Sequence, residues 1–402
     1  MPEAAFDPIA ATEALLASVP PDALARSDAY FEGGYWLLLW GTLVSVAGAW
    51  ALLHFGWAAR LRDLAERVSK RAWLSTSLFA AAFIIASTLL ELPWFIYADF
   101  VREHQYGLAT QDFAEWLGEA GINLAVNVVL LGLGIALLYT VIRRAGRAWW
   151  AWAGAGFIVF AAFAVAIAPV VVEPLFNDYT SLAPGPLRDD ILSLARANGI
   201  PSDDVFVVDQ SRQTTRISAN VSGFLGTTRI ALNDNLLEQG TPAEVRAVMA
   251  HEMGHYALGH VVTLLIQVGL LLGGGFLFAD RVFSELQRRF GARWGVRGLA
   301  DPAGFPILYG ALAVFLLLAT PVQNTIIRVN EAQADLFGLN AAREPNGFAS
   351  TALKLSAYRK LAPGPIEEAL MYDHPSGRSR ILMAMRWKAE QQRAVPPNAA
   401  SK

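Results

Sequence analysis

The sequence predicts a mainly α-helical fold, a polytopic membrane bundle of about six spans with a small α+β insert. Three observations predict it. The chain of 402 residues is 54% hydrophobic, it is only 17% charged, and long apolar stretches recur along it. Because soluble domains carry about 25% charged residues, the deficit indicates that lipid solvates part of the chain.

Six stretches are long and apolar enough to cross about 30 Å of hydrocarbon as helices. A buried helix of a large soluble protein would explain any one of them, but six together favour membrane spans. The first four form two pairs joined by short loops. The stretches are 35–57, 73–97, 121–142, 148–171, 261–279 and 303–322.

The composition excludes several chemistries. The absence of cysteine excludes disulfides, thiolate metal ligands and a cysteine nucleophile, so any metal site must use His, Glu or Asp. The net charge of −3 gives no bulk attraction to nucleic acid. Residues 1–34 contain no cleavable signal peptide pattern, so we expect an extramembrane segment followed by an uncleaved membrane anchor.

Between the fourth and fifth spans the pattern changes to that of a small α+β insert, and a helical pattern resumes after the sixth span. The predicted elements are a helix over 180–199 that stops at Asn198-Gly199, a strand at Val205-Phe206-Val207-Val208, strands at 216–222 and 228–232 joined by a turn near Gly226, a helix over 323–341, and a polar helical tail over 345–393 that frays at Pro396-Pro397.

Three polar side chains lie at membrane depth, Glu91 in the second predicted span and Asn123 and Asn127 in the third. The two asparagines are four residues apart and therefore share a helix face. Such groups face a bundle interior or a water-filled cavity. Hydrogen bonds between helices, without any further role, are an equally good explanation.

A possible metal motif lies at His251-Glu252-Met253-Gly254-His255, in a helical pattern that begins near Pro242. Thr241 is the expected N-cap, with Glu244 completing a capping box. Residues i and i+4 share a helix face, so both imidazoles can bind one zinc ion while Glu252 takes a proton from a zinc-activated water. The motif also occurs by chance, but its small and apolar neighbours favour a buried metal helix.

A third ligand is available at Glu331, which would complete a His-His-Glu site with one position left to water, as in catalytic zinc sites. Asp335 shares the helix face of Glu331 and would orient a ligand imidazole. Spacing alone favours a solvated carboxylate pair with Arg328 as an ordinary i,i+3 partner. His260 is expected at the membrane boundary, turned away from the two-histidine face. His54 and His104 have no partners in sequence and are expected to be structural.

At this point the sequence resembles the type I CAAX prenyl endopeptidase family of membrane zinc metalloproteases. The resemblance covers roughly residues 35–390. It is carried by Phe100-Val101-Arg102-Glu103-His104-Gln105-Tyr106-Gly107-Leu108, Glu173-Pro174-Leu175-Phe176-Asn177, Ser218-Ala219-Asn220 with Gly223 and Gly226, the zinc motif, the series Asn324, Arg328, Glu331, Ala334 and Asp335, and His374-Pro375 with Arg380.

The resemblance implies a gluzincin-type site in which His251, His255 and Glu331 bind Zn²⁺ and Glu252 is the general base. It implies further roles, with Asp335 and Arg328 supporting the ligands, His374 and Arg380 holding the substrate carbonyl or oxyanion, and Ser218, Ala219 and Asn220 pairing with an extended peptide as an added strand. The chain departs from the family at Ile327 and Val221-Ser222, and by having six spans where eukaryotic members have seven.

These patterns divide the chain into five segments. They are an extramembrane segment at 1–34, a four-helix membrane region at 35–172, the substrate-strand insert at 173–240, the zinc helix with two spans and the third-ligand helix at 241–341, and the polar tail at 342–402.

Basic residues predict the orientation. Lys and Arg are frequent in the loops 58–72, 143–147 and 280–302, whereas 1–34 and 98–120 contain only Arg26 and Arg102. The positive-inside rule then puts the zinc site outside the cytoplasm, in a bacterial cell membrane, although the resemblance implies a cytosolic site.

The sequence therefore predicts an integral-membrane zinc endopeptidase that acts on membrane-associated or C-terminally lipidated peptides and contacts lipid. A site-two type intramembrane protease also uses this motif, but it takes its third ligand from an Asp-Gly pair in a later span, and the sequence has none there. The alternative is a transporter or assembly factor with structural zinc, which has no use for Glu252.

Overall fold

The computed structural model describes residues 6–222 and 228–394. The predicted turn near Gly226, with Gly223, and the terminal Pro396-Pro397 lie outside the described residues. The chain divides into two compact units, which bring together segments that are distant in sequence. The sheet unit consists of Met1–Tyr35, Asn177–Val261 and Pro321–Lys402, and the span unit consists of Trp36–Phe176 and Val262–Thr320.

Helices dominate both units. The elements, numbered along the chain, are α1 (Pro8–Leu16), α2 (Pro21–His54), α3 (Trp57–Val68), α4 (Ala72–Phe95), α5 (Arg102–Gln105), α6 (Phe113–Ala145), α7 (Trp149–Ile167), β1 (Tyr179–Ser181), α8 (Pro186–Ala197), β2 (Val205–Val208), β3 (Ala219–Ser222), β4 (Arg229–Asn233), α9 (Asp234–Gln239), α10 (Pro242–Ala257), α11 (His260–Trp294), α12 (Phe305–Ala342), α13 (Pro345–Lys354), α14 (Pro365–Met371) and α15 (Gly377–Ala394).

Each of the six predicted stretches overlaps a long apolar helix, namely α2, α4, α6, α7, α11 or α12, and extends at most four residues beyond that helix at either end. Five continuous helical runs in the described residues qualify as spans, because α6 and α7 belong to one run of 63 residues, Phe113–Leu175. That run would be about 95 Å long if straight, three times the hydrocarbon thickness. Gly146 interrupts it with a φ of 55°. The predicted multi-pass helical fold is confirmed.

The polar side chains at membrane depth have partners within the span unit. Glu91 is buried and accepts hydrogen bonds from Ser45 Oγ at 3.2 Å and from the Tyr309 hydroxyl at 3.1 Å. Asn127 donates to Asn123 Oδ1 at 2.7 Å across one turn of α6. For Glu91 the structure therefore favours the second explanation given above, hydrogen bonds between helices.

The sheet unit contains a four-stranded sheet in the order β1-β2-β4-β3. β2 and β4 are parallel and the other neighbours are antiparallel. A strand is found at each of the three predicted positions, although the one predicted over 216–222 begins only at Ala219. The helix predicted over 180–199 begins only at Pro186, because Tyr179–Ser181 pair with β2 and a proline suits the first helical position. It ends at Ala197, with Asn198 as the C-cap and Gly199 following at a φ of 70°.

Candidate active site

The metal motif lies on α10, and local sequence explains why this helix forms. The Thr241 hydroxyl accepts from the Glu244 backbone N–H, and the Glu244 carboxylate accepts from the Thr241 N–H at 2.7 Å, so the predicted capping box is confirmed. The Glu244 carboxylate also accepts from Ser350 Oγ at 2.6 Å and Lys354 Nζ at 2.7 Å. These contacts fix the start of α10 two turns before His251.

Three side chains that can act as metal ligands converge on one point. His251 Nε2 lies 3.2 Å from His255 Nε2 and 3.2 Å from Glu331 Oε2, and His255 Nε2 lies 3.4 Å from Glu331 Oε1. The donor atoms of this His-His-Glu cluster all lie within 4.8 Å of one another. Glu331 Oε2 is buried, and among the described residues it has close imidazole neighbours but no well-aligned hydrogen bond. The cluster is therefore a possible metal site, in which Glu331 lies 80 positions after His251 and 76 positions after His255 in the sequence.

Glycines allow the two helices that carry the cluster to approach closely. A Cβ on Gly338 of α12 would lie 3.0 Å from His251 N and 3.1 Å from His251 Cα. A Cβ on Gly254 of α10 would lie 3.2 Å from Ala334 Cα and 3.1 Å from Phe337 Cδ1. Backbone thus packs on backbone at the site, which brings Glu331 to the imidazoles.

Asp335 and Arg380 lie behind His251. Asp335 is fully buried, and its Oδ1 lies 2.8 Å from His251 Nδ1 and 2.5 Å from an Arg380 guanidinium nitrogen. Burial lowers the pKa of His251, but Asp335 and Glu331 outweigh burial and raise the pKa to about 9. The imidazole is thereby held by carboxylates on both of its nitrogens.

His260 contradicts the prediction that it turns away from the two-histidine face. It is 2% exposed, its Nδ1 lies 3.0 Å from His255 Nδ1, and its Nε2 lies 3.1 Å from Gln333 Oε1. The five-residue spacing misled because α10 ends at Ala257. Gly259, with a φ of 68°, reverses the chain before α11 begins at His260. A glycine after a helix is a stop signal, and it could have shown that helical spacing does not reach His260.

His374 and Arg328 lie at different distances from the cluster. His374 Nε2 lies 3.2 Å from Glu331 Oε2, and its Nδ1 lies 2.8 Å from Asp373 Oδ1. Arg328 was expected to support the ligands directly. Its guanidinium instead donates to the backbone carbonyls of Glu368, at 2.8 Å, and of Tyr372. Arg328 thus holds the end of α14, just before the His374 segment.

A cavity of roughly 170 Å³ opens beside the cluster. Glu252 lies in its wall next to His251, and burial raises the pKa of the Glu252 carboxyl above its usual value, against the opposing effect of His251 and His255. Both predicted oxyanion residues reach this cavity, as do two of the predicted substrate-strand residues. The polar and strand residues in the wall are Ser218, Ala219, His251, Glu252, His374 and Arg380.

The predicted substrate strand lies at one edge of the described sheet. β3 pairs with β4 on one side, with Ala219 opposite Leu232 and Asn220 opposite Ala231. Ser218 precedes the strand, and its N–H donates to Asn233 Oδ1 at 3.0 Å. The structure brings Ser218 and Ala219 to the cavity wall, whereas Asn220 lies farther along β3.

Comparison with known proteins finds matches along nearly the whole chain. Residues 9–178 match a family model described as CAAX prenyl protease N-terminal, five membrane helices, and residues 182–388 match the model of peptidase family M48. The Bacillus subtilis protein called uncharacterized metalloprotease YhfN is 28% identical over 90% of this chain and 86% of its own length. The Oryza sativa subsp. japonica CAAX prenyl protease 1 homolog is 32% identical over 75% of this chain and 71% of its own.

One solved structure has a similar fold. The crystal structure of S. mikatae Ste24p superposes with a TM-score of 0.73, covers 93% of both chains and is 22% identical. This likeness supports the fold of the chain as a whole.

Proposed function

The chain belongs to peptidase family M48 and is a multi-pass membrane metalloprotease, and we propose that its metal is zinc, held by His251, His255 and Glu331. The observation that carries the proposal is the spacing of the donor atoms. Zinc bonds of about 2.0–2.1 Å in a tetrahedron place neighbouring ligand atoms roughly 3.3 Å apart. In the cluster the two Nε2 atoms lie 3.2 Å apart, His251 Nε2 lies 3.2 Å from Glu331 Oε2, and His255 Nε2 lies 3.4 Å from the other carboxylate oxygen, Glu331 Oε1.

The donor set also fits a catalytic ion. Two imidazoles and one carboxylate leave one tetrahedral position open, whereas structural zinc sites are closed by a fourth protein ligand. Glu331 Oε2 is a buried carboxylate oxygen that lies 3.2 Å from His251 Nε2 and 3.2 Å from His374 Nε2. The charge of a buried carboxylate must be paired, and a metal ion bound with the imidazoles would pair it. A transporter or assembly factor with structural zinc would leave Glu252 in the cavity without a role.

Zinc bound by these ligands would supply Lewis acidity toward the scissile carbonyl and toward water. Glu252 accepts the proton from the attacking water and delivers it to the leaving amine nitrogen. His374 donates from Nε2 to the carbonyl oxygen as negative charge develops there. Arg380 offers its buried Nε, which has no partner among the described residues, while its terminal nitrogen stays on Asp335. Each such donor is worth about 3–4 kcal/mol in the transition state.

The substrate is an extended peptide or protein segment at the membrane. We propose that it pairs with the outer edge of β3 as an added strand and places one side chain in the cavity, where Val248, Phe348 and Leu355 provide apolar walls. Several similar proteins are named CAAX prenyl proteases, so a C-terminally lipidated peptide is the substrate class to test first, with other membrane-associated proteins second.

We further propose that the chain resides in a bacterial cell membrane with the zinc site on the outer side, as the Lys and Arg distribution in the loops predicts. A reporter fused after Lys402 tests this. Activity of a periplasmic reporter is expected, and activity of a reporter that functions only in the cytoplasm contradicts the proposed orientation.

The test of the proposed chemistry is Glu252→Gln, which removes the base but keeps the volume. The purified variant is expected to retain one zinc ion per chain by mass spectrometry, while cleavage of casein or of a prenylated peptide falls by a factor of at least about 10². Cleavage at the wild-type rate would show that Glu252 is not the base. Trapping of substrates on the same variant would then identify what the enzyme cleaves.

A further inference from the structure

We propose that His260 and Gln333 are positioning residues that fix His255 as a metal ligand, by determining which ring nitrogen of His255 carries the proton. The proposal rests on the proposed function, because it assumes that His255 binds zinc. It adds a chain of contacts that runs from α12 through α11 to α10.

The geometry forms a continuous chain within the sheet unit. His255 presents Nε2 to the cluster, 3.2 Å from His251 Nε2, and turns Nδ1 away from it. His260 Nδ1 meets that nitrogen at 3.0 Å, and His260 Nε2 meets Gln333 Oε1 at 3.1 Å. His260 is buried, so water does not compete freely for either contact.

The proton positions on both rings can be assigned by starting from the nitrogen that binds the metal. A ligand nitrogen must offer its lone pair, so neutral His255 carries its proton on Nδ1 when Nε2 binds the ion. His255 Nδ1–H then donates to His260 Nδ1. Neutral His260 therefore carries its own proton on Nε2, which donates to Gln333 Oε1. With the amide oxygen of Gln333 facing His260 Nε2, both contacts are satisfied only when neutral His255 is in the tautomer that can bind zinc through Nε2.

The two ligand imidazoles are thus supported differently. His251 Nδ1 faces the Asp335 carboxylate at 2.8 Å, which is the common support for a zinc-bound histidine. His255 faces a neutral ring, backed by a neutral amide. This arrangement orients His255 without adding a third carboxylate next to Glu331 and Asp335.

Zinc affinity of the metal-stripped full-length protein in detergent tests the proposal, measured by competition with a chelating dye. Loss of a residue that supports a ligand costs about 10–100-fold in metal affinity, so His260→Ala is expected to weaken Zn²⁺ binding by that factor. His260→Asn should recover much of the loss, because its amide oxygen can accept at the position of Nδ1. Gln333→Met should weaken binding less, since it removes only the outer contact.

Two controls separate the proposal from simpler explanations. His54→Ala removes another histidine, one that stacks on Trp50 in the span unit, and should leave zinc affinity unchanged. Thermal unfolding of each metal-free variant reports folding independently of zinc. If His260→Ala unfolds at a lower temperature, the comparison rests on His260→Asn and Gln333→Met, which keep polar or volume-matched side chains.

Selective ¹⁵N labelling of histidine reports which ring nitrogen carries the proton, and a purely structural role for His260 does not require a particular answer. The chain has six histidines, so ring nitrogen signals can be assigned by substitution. Zinc-loaded wild-type protein should show His255 protonated at Nδ1 and His260 at Nε2. The proposal is overturned if His260 carries its proton on Nδ1, or if His260→Ala binds Zn²⁺ as tightly as wild type. Failure of the proposed function itself looks different, because Glu331→Gln and His251→Ala would then also retain wild-type zinc affinity.

Discussion

Gly338 offers a sharp test of how the site is assembled. A Cβ at this position would lie 3.0 Å from His251 N, 3.1 Å from His251 Cα and 3.4 Å from the Ala250 carbonyl carbon. Ordinary contacts between non-bonded carbon atoms are about 3.5–4.0 Å. The Gly338→Ala substitution therefore requires α10 and α12 to separate by roughly 0.5–1 Å at the backbone N and Cα atoms of His251.

The expected effect on stability is small, but the effect on the site is large. Overpacking costs about 1–3 kcal/mol, whereas replacing glycine by alanine inside a helix stabilises it by about 1 kcal/mol. The free energy of unfolding should therefore fall by roughly 0–2 kcal/mol. A displacement of about 1 Å between reacting groups can cost about 100-fold in rate, and Glu331 and His251 lie on the two helices that separate.

The assay combines thermal unfolding of the metal-free protein with zinc affinity and peptide cleavage. Gly34→Ala is a matched control, because Gly34 lies in α2 of the sheet unit with nothing within 4 Å of its added Cβ. Gly34→Ala should keep zinc affinity and cleavage. If Gly338→Ala also keeps both, the argument that close backbone packing sets the position of the ligands is refuted.

Other substitutions test the surroundings of the cluster. Asp335→Asn removes the charge that His251 Nδ1 and Arg380 face, so zinc affinity should fall about 10–100-fold, and unchanged affinity in a dye competition would contradict this support. Arg328→Ala removes the contacts that hold the end of α14, so kcat/KM should drop about tenfold. The zinc content, measured by mass spectrometry, should stay the same, and a loss of zinc would instead show that Arg328 supports the ligands. Glu244→Gln should lower the free energy of unfolding at pH 7 by about 1.5–3 kcal/mol. Burial raises the pKa of Glu244, but Lys354, Ser350 and Thr241 lower it from 4.5 to about 2, so its contribution is full above pH 4.5 and is lost as the pH falls toward 2. Denaturation of both proteins at pH 7 and pH 2 measures this, and a difference between them that is as large at pH 2 as at pH 7 would contradict it.

Much of the fold follows from composition and periodicity. Hydropathy located every long apolar helix, since a span must satisfy its own backbone hydrogen bonds and expose apolar side chains. Capping chemistry located the start of α10, because Thr241 and Glu244 act within one turn. The local sequence pattern gave the wrong secondary structure where pairing with a distant strand determines it. Residues 179–181 entered the sheet as β1 although their neighbours continue a helical pattern.

The candidate site shows the same division between local and distant contacts. His251, Glu252 and His255 lie within two turns of one helix, so the shared face of the two histidines and the nearby Glu252 could be predicted. Spacing alone could not bring Glu331 to them, because that depends on how α10 and α12 pack, and family resemblance was needed to favour a ligand over a solvated carboxylate pair. His260 was misplaced because Gly259 ends the helical register. Arg328 was misplaced because its partners are backbone carbonyls of a segment forty residues away.

An anomalous diffraction or X-ray absorption measurement on the purified full-length protein tests the central claim most directly. We predict one zinc ion per chain, bonded at about 2.0–2.1 Å to Nε2 of His251, Nε2 of His255 and a carboxylate oxygen of Glu331. A metal-free active enzyme, or an ion bound away from these three side chains, would contradict the account.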